Sequence, residues 1–168
     1  DHAATLPAMS AGQVTPANRL HRFGTRKGEP IDASQSAYRV TAIYEKPKQD
    51  YAAEHLRTPG IPPGTYLCHF GMHVFPPDLF DALGHHIDHN IREGNEIQLT
   101  NAQEYMRTQI LKGQYGACTI QGQRFDTGIP YGLMESQIAL ALAGKHRAEI
   151  VEAIARLLAE QLQSLAAK

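Results

Sequence analysis

The strongest constraint on the fold is a long apolar run at residues 65–75, interrupted by one glycine, Gly71. Apolar residues occupy both alternating faces of this run, a pattern typical of a central strand covered on both sides. Helical spacing of apolar residues follows at 97–111, 131–143 and 146–165. The sequence therefore predicts an α/β fold, a mixed sheet flanked by helices, with the last helix closing the chain.

A second strand is predicted at residues 39–44, an apolar run rich in β-branched side chains. Pro47 has no N–H group to donate, so the strand should end before it. Glu45 and Lys46 then leave the strand end in different directions, because neighbouring strand residues point to opposite faces. A carboxylate that accepts from hydroxyls beside an ammonium that binds phosphate would suit a phosphorylated sugar. The alternative is a strand end with two solvated charges.

The charge balance excludes some partners. Sixteen lysines and arginines nearly cancel seventeen aspartates and glutamates in 168 residues, so no long-range field favours nucleic acid or an anionic membrane. Apolar runs stay well below the roughly 18 to 20 residues that span a bilayer, and the first residues lack a signal-peptide pattern. We therefore expect a cytoplasmic protein in which Cys68 and Cys118 are reduced core residues.

The ends of the chain differ from its middle. Residues 1–18 are rich in small residues and proline and predict a loosely structured N-terminal segment, while residues 26–30 predict a turn. Residues 1–143 are predicted as one domain and residues 144–168 as an amphipathic helix, which either packs on the core or forms a homo-oligomer interface. Because the chain does not begin with methionine, we expect a part of a longer protein.

Four motifs occur in a fixed order: Tyr-Glu-Lys-Pro at 44–47, the glycine-containing strand at 69–75, Asn-Glu-Ile-Gln-Leu-Thr-Asn-Ala at 95–102, and Arg-Phe-Asp-Thr-Gly at 124–128. Together they resemble the second half of the catalytic domain of the bacterial sugar nucleotidyltransferases, most closely the UTP:glucose-1-phosphate uridylyltransferases. The resemblance covers about residues 19–143. It implies the C-terminal part of a Rossmann-like domain, and an enzyme that converts UTP and glucose-1-phosphate to UDP-glucose and pyrophosphate.

The resemblance also implies a role for each matching residue. Lys46 matches the catalytic lysine that holds the sugar phosphate, and Glu45 matches the carboxylate that accepts from sugar hydroxyls. Gly71 matches a glycine whose backbone lies against the sugar. Asp126 matches an aspartate that binds Mg²⁺. Glu96 matches a residue that caps the following helix and holds the wall of the sugar pocket, with a contact to the sugar as the alternative.

One expected element is missing. Family members carry a glycine-rich loop for the triphosphate in their first half, and Gly24-Thr25-Arg26 does not restore the spacing of that loop. This chain alone is therefore expected to be inactive, and a non-catalytic module for sugar-phosphate binding or assembly is the alternative. The resemblance leaves the nucleotide base and the sugar open.

A histidine-rich segment offers a separate alternative. Three histidines and an aspartate lie within residues 85–89, and His85 and His89 would share one face of a helix. A closed zinc site needs further ligands, which the sequence does not supply nearby. The competing interpretation is a polar helix end, and the sequence leaves both open.

Overall fold

The computed structural model describes residues 6–166, and the chain divides into two units between Gln121 and Gly122. The described strands of the first unit are β1 (Ala8–Pro16), β2 (Thr25–Pro30), β3 (Ala37–Tyr44), β4 (Thr65–Val74) and β5 (Tyr115–Thr119). Its α-helices are α1 (Gln49–His55), α2 (Asp78–Asp88) and α3 (Leu99–Tyr105), with a 3-10 helix at Ala17–Arg22 and a π-helical turn at Met106–Ile110. The second unit contains α4 (Gly132–Ala143) and α5 (Arg147–Ala166).

The five strands form one mixed sheet that closes on itself in the order β1, β4, β2, β3, β5. β1 pairs antiparallel with β4 on one side and parallel with β5 on the other, which completes the ring. The remaining neighbours, β4 with β2, β2 with β3 and β3 with β5, are antiparallel. The mixed α/β composition was predicted correctly, but the open, Rossmann-like flanked sheet was wrong because β1 bridges both edges.

β1 also corrects the prediction of a loosely structured segment at residues 1–18. Ala8–Pro16 is a strand whose first five residues are buried, whereas residues 1–5 lie outside the described part of the chain. The strand was not predicted because its residues are mostly small and show little alternation of apolar and polar side chains. Their size has a packing role: a Cβ atom on Gly12 would stand 2.7 Å from Leu67 Cδ1, so only a glycine lets β4 approach this closely.

The hairpin from β2 to β3 presents the strand that ends at the predicted site. Its turn is held by the Asp32 carboxylate, which accepts hydrogen bonds from the backbone N–H groups of Ser36 and Ala37 at 3.0 and 3.1 Å. These bonds, with those from the Ser34 and Ser36 hydroxyls, lower the pKa of Asp32 well below its usual range. The turn fixes the register of β3, and hence where its last residue emerges.

The main core lies between the sheet and the helices α2 and α3. Its buried members are Ala8, Tyr38, Val40, Ile43, Leu67, Ala82, Ala102, Met106, Tyr115 and Ala117. A second cluster lies under the 3-10 helix and α1, built from Leu20, Ala52, Leu56, Tyr66 and Cys68. Burial of each large apolar side chain is worth about 1.5–3 kcal/mol, so both faces of the first half of β4 are held by packing.

The second unit is helical. We predicted a change of organisation after residue 143, whereas the internal contacts group residues 122–143 with the terminal helix. α5 has no buried residue over its described length, and Leu157, Leu158, Leu162 and Leu165 are more than half exposed. Among the residues described, no helix is both long and apolar enough to cross a membrane.

Candidate functional site

The predicted pair at the end of β3 is in place. β3 ends at Tyr44, and Pro47 is buried directly after the pair. The Glu45 side chain is only 10% exposed, whereas that of Lys46 is 52% exposed, and their charged groups lie 3.4 Å apart, between Lys46 Nζ and Glu45 Oε1. The carboxylate is thus held against the protein, while the ammonium reaches solvent.

Lys46 has an unusual backbone. Its φ angle is +41°, in the left-handed region that a residue with a Cβ atom seldom adopts. Such a conformation costs on the order of 1–3 kcal/mol and persists only where the surroundings hold it. Here the buried Pro47 and the β3 ladder fix both flanks. The strand end is therefore held in a strained geometry that turns Lys46 outward.

Three further residues meet at the Glu45 carboxylate. The Thr100 hydroxyl of α3 donates a hydrogen bond of 2.6 Å to Glu45 Oε2, and Thr100 is 6% exposed. Gly24 lies at the same point: a Cβ atom there would stand 2.9 Å from Thr100 Oγ1, 3.0 Å from His69 Nδ1 and 3.1 Å from Glu45 Oε2. The backbone also joins these segments, since His69 N donates to the Gly24 carbonyl at 2.8 Å. The segments before β2, after β3, in β4 and in α3 thus converge on one carboxylate.

Thr100, Gly24 and His69 were not predicted as site residues. Thr100 is the second residue of α3, and the N-cap residue before that helix is Gln98, which makes no side-chain capping bond. The hydroxyl bonds the carboxylate instead, since a charged acceptor binds it more strongly than a backbone N–H would. The signal lay in the motif at 95–102, which carries this threonine.

Gly71 lies in a bulge of β4. Ser10 pairs with His73 and Gly12 with His69, so residues 70–72 of β4 stand opposite the single residue Ala11 of β1. Gly71 has a φ of +98° and is exposed, and apart from its chain neighbours no atom of residues 6–166 lies within 4 Å of the position that its Cβ would take. Its backbone therefore faces open space and adopts a conformation that favours glycine.

Glu96 differs from its predicted capping role. It pairs through its backbone with Glu93, 2.9 Å from Glu93 N to Glu96 O, and its exposed carboxylate accepts from the Gln98 side chain at 3.1 Å. The cap prediction was wrong because α3 begins at Leu99, too far along the chain for Glu96 to reach its first turn. Asn101 Nδ2 donates to Glu93 Oε2 at 3.0 Å.

Asp126 belongs to the second unit. Its Oδ1 accepts the backbone N–H of Gly128 at 3.0 Å, which forms a tight turn, and the side chain is half-buried. A carboxylate oxygen is the type of ligand that Mg²⁺ prefers, and Mg²⁺ commonly takes one or two carboxylates together with substrate phosphates. Over residues 6–166, no group of three His, Cys, Asp or Glu side chains is arranged to hold a metal. Asp126 therefore fits as one ligand of a shared site.

The histidine-rich segment has packing roles. His86 is buried and its Nδ1 donates to the Ala82 carbonyl at 2.8 Å, and the His85 ring stacks on Tyr105 with centroids 4.1 Å apart. His85 and His89 share a face as predicted, with ring centroids also 4.1 Å apart. These rings join α2 to α3, and no described set of three ligands includes them.

The chain was compared with known proteins. No family model matches it. The UTP–glucose-1-phosphate uridylyltransferase of Staphylococcus epidermidis is 33% identical over 130 residues, which cover 77% of this chain and 38% of that protein. The enzyme of the same name from Staphylococcus haemolyticus is 30% identical over 146 residues, which cover 86% of this chain and 44% of that protein.

Solved structures give a consistent result for the fold. A UDP-glucose pyrophosphorylase crystallised with UDP-glucose matches with a TM-score of 0.58 and 22% identity, over 82% of this chain and 45% of that one. The UTP-bound enzyme from Acinetobacter baumannii matches with a TM-score of 0.60 and 19% identity, over 89% and 45%. This chain spans less than half the length of these relatives. The prediction from the four motifs is confirmed: the chain is homologous to part of the UTP–glucose-1-phosphate uridylyltransferases.

Proposed function

We propose that this chain supplies the sugar-phosphate-binding part of a UTP:glucose-1-phosphate uridylyltransferase. In the proposed reaction a phosphate oxygen of glucose-1-phosphate attacks the α-phosphorus of UTP, and pyrophosphate leaves. The observation that carries the proposal is the convergence on Glu45: a nearly buried carboxylate, oriented by Thr100 and closely approached by the Gly24 backbone, lies beside the exposed ammonium of Lys46. Homology to enzymes of this name supports the same function.

Each residue of the pair has one task in this proposal. Glu45 keeps lone pairs for sugar hydroxyls, and the bond from Thr100 holds its carboxylate in one orientation. Lys46 binds the phosphate as a compact cation and offsets negative charge as the phosphate attacks, so we assign it the catalytic role. Because its ammonium is half exposed, it can exchange the contact with Glu45 for a phosphate at little cost.

Gly71 and Glu96 contribute the remaining contacts. The Gly71 backbone borders open space, so a sugar can lie directly against it without meeting a side chain. The exposed Glu96 carboxylate has Gln98 as its one described hydrogen-bond partner, so it is available to a sugar hydroxyl. We propose these two residues as secondary sugar contacts.

Asp126, in the second unit, is the proposed oxygen ligand of Mg²⁺. When bound, the metal would supply positive charge that stabilises phosphate groups. The Asp126 turn contributes the oxygen ligand in a fixed position, since the Gly128 N–H bond orients the carboxylate. In the assembled enzyme, Asp126→Ala should therefore abolish the dependence of the rate on Mg²⁺, and Asp126→Glu should retain part of it.

The proposal is tested by binding and by turnover. Isothermal titration should show that the chain binds glucose-1-phosphate, and that Glu45→Ala and Lys46→Ala each weaken this binding at least tenfold. Pyrophosphate release from UTP and glucose-1-phosphate should appear only when the first half of a homologous uridylyltransferase is added. Absence of glucose-1-phosphate binding by the wild-type chain would refute the proposal.

The second candidate is a non-catalytic module for sugar-phosphate binding or assembly. It is favoured by the exposed leucines of α5 in the second unit, which an assembly partner could cover. It predicts glucose-1-phosphate binding without turnover, even when a first half is supplied. The complementation assay separates the two functions, since only the split-enzyme function predicts rescue.

A further inference from the structure

Arg26 is an unusual residue of β2. Its side chain is fully buried, and its guanidinium donates to the Ser10 carbonyl at 3.2 Å and to the Ala11 carbonyl at 2.6 Å. No described carboxylate pairs with it, and its Nε atom has no hydrogen-bond partner. Burial lowers the pKa of Arg26 to about 10, so the group remains a cation at neutral pH. A buried cation without an anion is expensive and needs a reason.

The position of the two carbonyls supplies a reason. Ala11 is the residue of β1 that stands opposite the bulge at 70–72 and has no partner in the β4 register. β4 lies between β2 and β1 in the sheet, and the Arg26 guanidinium nevertheless reaches the β1 carbonyls of Ser10 and Ala11. The guanidinium therefore binds backbone at the point where the β1–β4 pairing breaks.

The far end of the bulge is held by a second polar contact. Ser10 Oγ lies 2.6 Å from His73 Nδ1 and also hydrogen-bonds the Tyr115 hydroxyl. His73 follows directly after the bulge, and its ring stacks on Phe75 with centroids 5.1 Å apart. Arg26 fixes the Ser10 backbone and Ser10 fixes His73, so the three form one connected network under the bulge.

We propose that Arg26 is a positioning residue of the sugar-phosphate site: its guanidinium fixes the β4 bulge at residues 70–72 and thereby the Gly71 backbone. The inference rests on the proposed function for the role of Gly71, but not for the effect on the bulge. Planar donors that hold two neighbouring carbonyls at once fix the position of β1 relative to β2, which a single ammonium would not do. Removal of the guanidinium should loosen the bulge more than the rest of β4.

Hydrogen exchange and ligand binding test the inference on the whole chain. Arg26→Met keeps most of the side-chain volume and removes the donors, and Arg26→Lys keeps the charge but not the planar fork. Leu56→Ala is the matched control, because it empties part of the second core cluster without touching the bulge. Ser10→Ala removes the hydroxyl that contacts His73 and so disrupts the same network. If Arg26→Met does not fold, Ser10→Ala allows the same comparison of exchange between the two parts of β4.

We expect Arg26→Met and Ser10→Ala to raise amide exchange at residues 73–74, which pair with β1 directly after the bulge, at least tenfold more than at 66–68, and Arg26→Lys to recover only part of the protection. Leu56→Ala should instead raise exchange at 66–68 at least as much as at 73–74, because Leu56 shares a core cluster with Tyr66 and Cys68. Glucose-1-phosphate binding should weaken at least fivefold in Arg26→Met at a temperature where the variant is fully folded, and remain within twofold in Leu56→Ala.

Exchange that rises evenly along β4 in Arg26→Met and in Ser10→Ala would overturn the inference. Selective loosening of the bulge with unchanged glucose-1-phosphate affinity would also overturn it, because Arg26 would then be structural only. If the wild-type chain does not bind glucose-1-phosphate, the proposed function fails, and the exchange data alone decide whether Arg26 fixes the bulge.

Discussion

Replacement of Lys46 by glycine should weaken glucose-1-phosphate binding while it leaves the free energy of unfolding nearly unchanged. Lys46 has a φ of +41°, and a left-handed conformation costs a residue with a Cβ atom about 1–2 kcal/mol. Glycine removes that strain but adds about 0.4–1 kcal/mol of entropy in the unfolded chain. It also loses the contact to Glu45, which at 52% exposure of the lysine is worth at most about 1 kcal/mol. These contributions nearly cancel, so the free energy of unfolding should stay within about 1 kcal/mol of wild type.

Binding should change far more. A hydrogen bond to a charged group is worth about 1.5–3 kcal/mol, which corresponds to a roughly ten- to hundredfold loss of affinity for glucose-1-phosphate. Lys112 provides the control, since it has a φ of +50° and lies after the π-helical turn, away from the converging residues at Glu45. Lys112→Gly should be at least as stable as wild type and should bind glucose-1-phosphate normally.

Two assays check this prediction. Urea denaturation followed by near-ultraviolet circular dichroism reports on the first unit, because Tyr38, Tyr66 and Tyr115 are buried there. Isothermal titration with glucose-1-phosphate measures binding, and Lys46→Arg should retain part of the affinity. Affinity within twofold of wild type in Lys46→Gly would refute the phosphate role. A loss of more than about 2 kcal/mol in unfolding free energy would refute the account of the strained backbone.

Three further predictions follow from the site and from the network under it. Thr100→Val should weaken glucose-1-phosphate binding several-fold and lower the unfolding free energy by about 1–2 kcal/mol, because Glu45 loses a charge-assisted bond. Thr100→Ser should have the affinity and the stability of wild type, and equal behaviour of the two variants would contradict this prediction. Gly71 and Gly113 have φ of +98° and +85°, and both have open space around them. Gly71→Ala and Gly113→Ala should therefore each lower the unfolding free energy by about 1 kcal/mol, but only Gly71→Ala should reduce the affinity for glucose-1-phosphate in the same titration. Burial and the Arg26 guanidinium lower the pKa of His73 to about 4, so between pH 6.5 and 4 the unfolded chain binds a proton that the folded chain does not, and stability falls as the pH falls. Since the ring is only partly buried, the loss should be about 1–2 kcal/mol, and His73→Phe should show a shallower decline in urea titrations over this range; parallel declines would argue against it.

The parts of the fold that the sequence predicts are those with strong local signals. The run at 39–44 is β-branched and ends at a proline, and β3 ends at Tyr44 as expected. The apolar run at 65–75 matches β4, and the helical periodicities at 131–143 and 146–165 match α4 and α5 within two residues. The motifs likewise predicted the homology, because they include the residues around Glu45.

The parts that could not be predicted depend on contacts distant in sequence. Residues 26–30 suggest a turn by their charges, glycine and proline, yet Thr25–Pro30 is strand β2 and carries the buried Arg26. Burial of that arginine depends on carbonyls of β1, which itself has no strand pattern. The closure of the sheet also depends on β1, because β1 pairs with both β4 and β5. Local sequence cannot predict the contact between Arg26 and β1. A buried arginine is unfavourable without the β1 carbonyls, and β1 has no strand pattern of its own.

Two of the residues that break local rules belong to the proposed sugar site and its support. Of the described non-glycine residues with positive φ, Asn90 and Asn95 are of a type that tolerates this region, and Lys112 follows a helical turn, where the left-handed conformation is common. Gln35 lies in the turn between β2 and β3, and Tyr131 directly precedes α4. Lys46 lies two residues after the end of β3 and directly before a proline.

Arg26 breaks a different rule, that buried cations are paired with anions. A chain retains such unfavourable features when the fold gains something from them, and functional geometry is the commonest gain. Lys46 presents an ammonium to solvent beside the Glu45 carboxylate, and Arg26 binds the backbone opposite the Gly71 bulge. Both residues belong to the first unit, where Thr100 of α3 also bonds Glu45, so we propose the sugar-phosphate site in this unit.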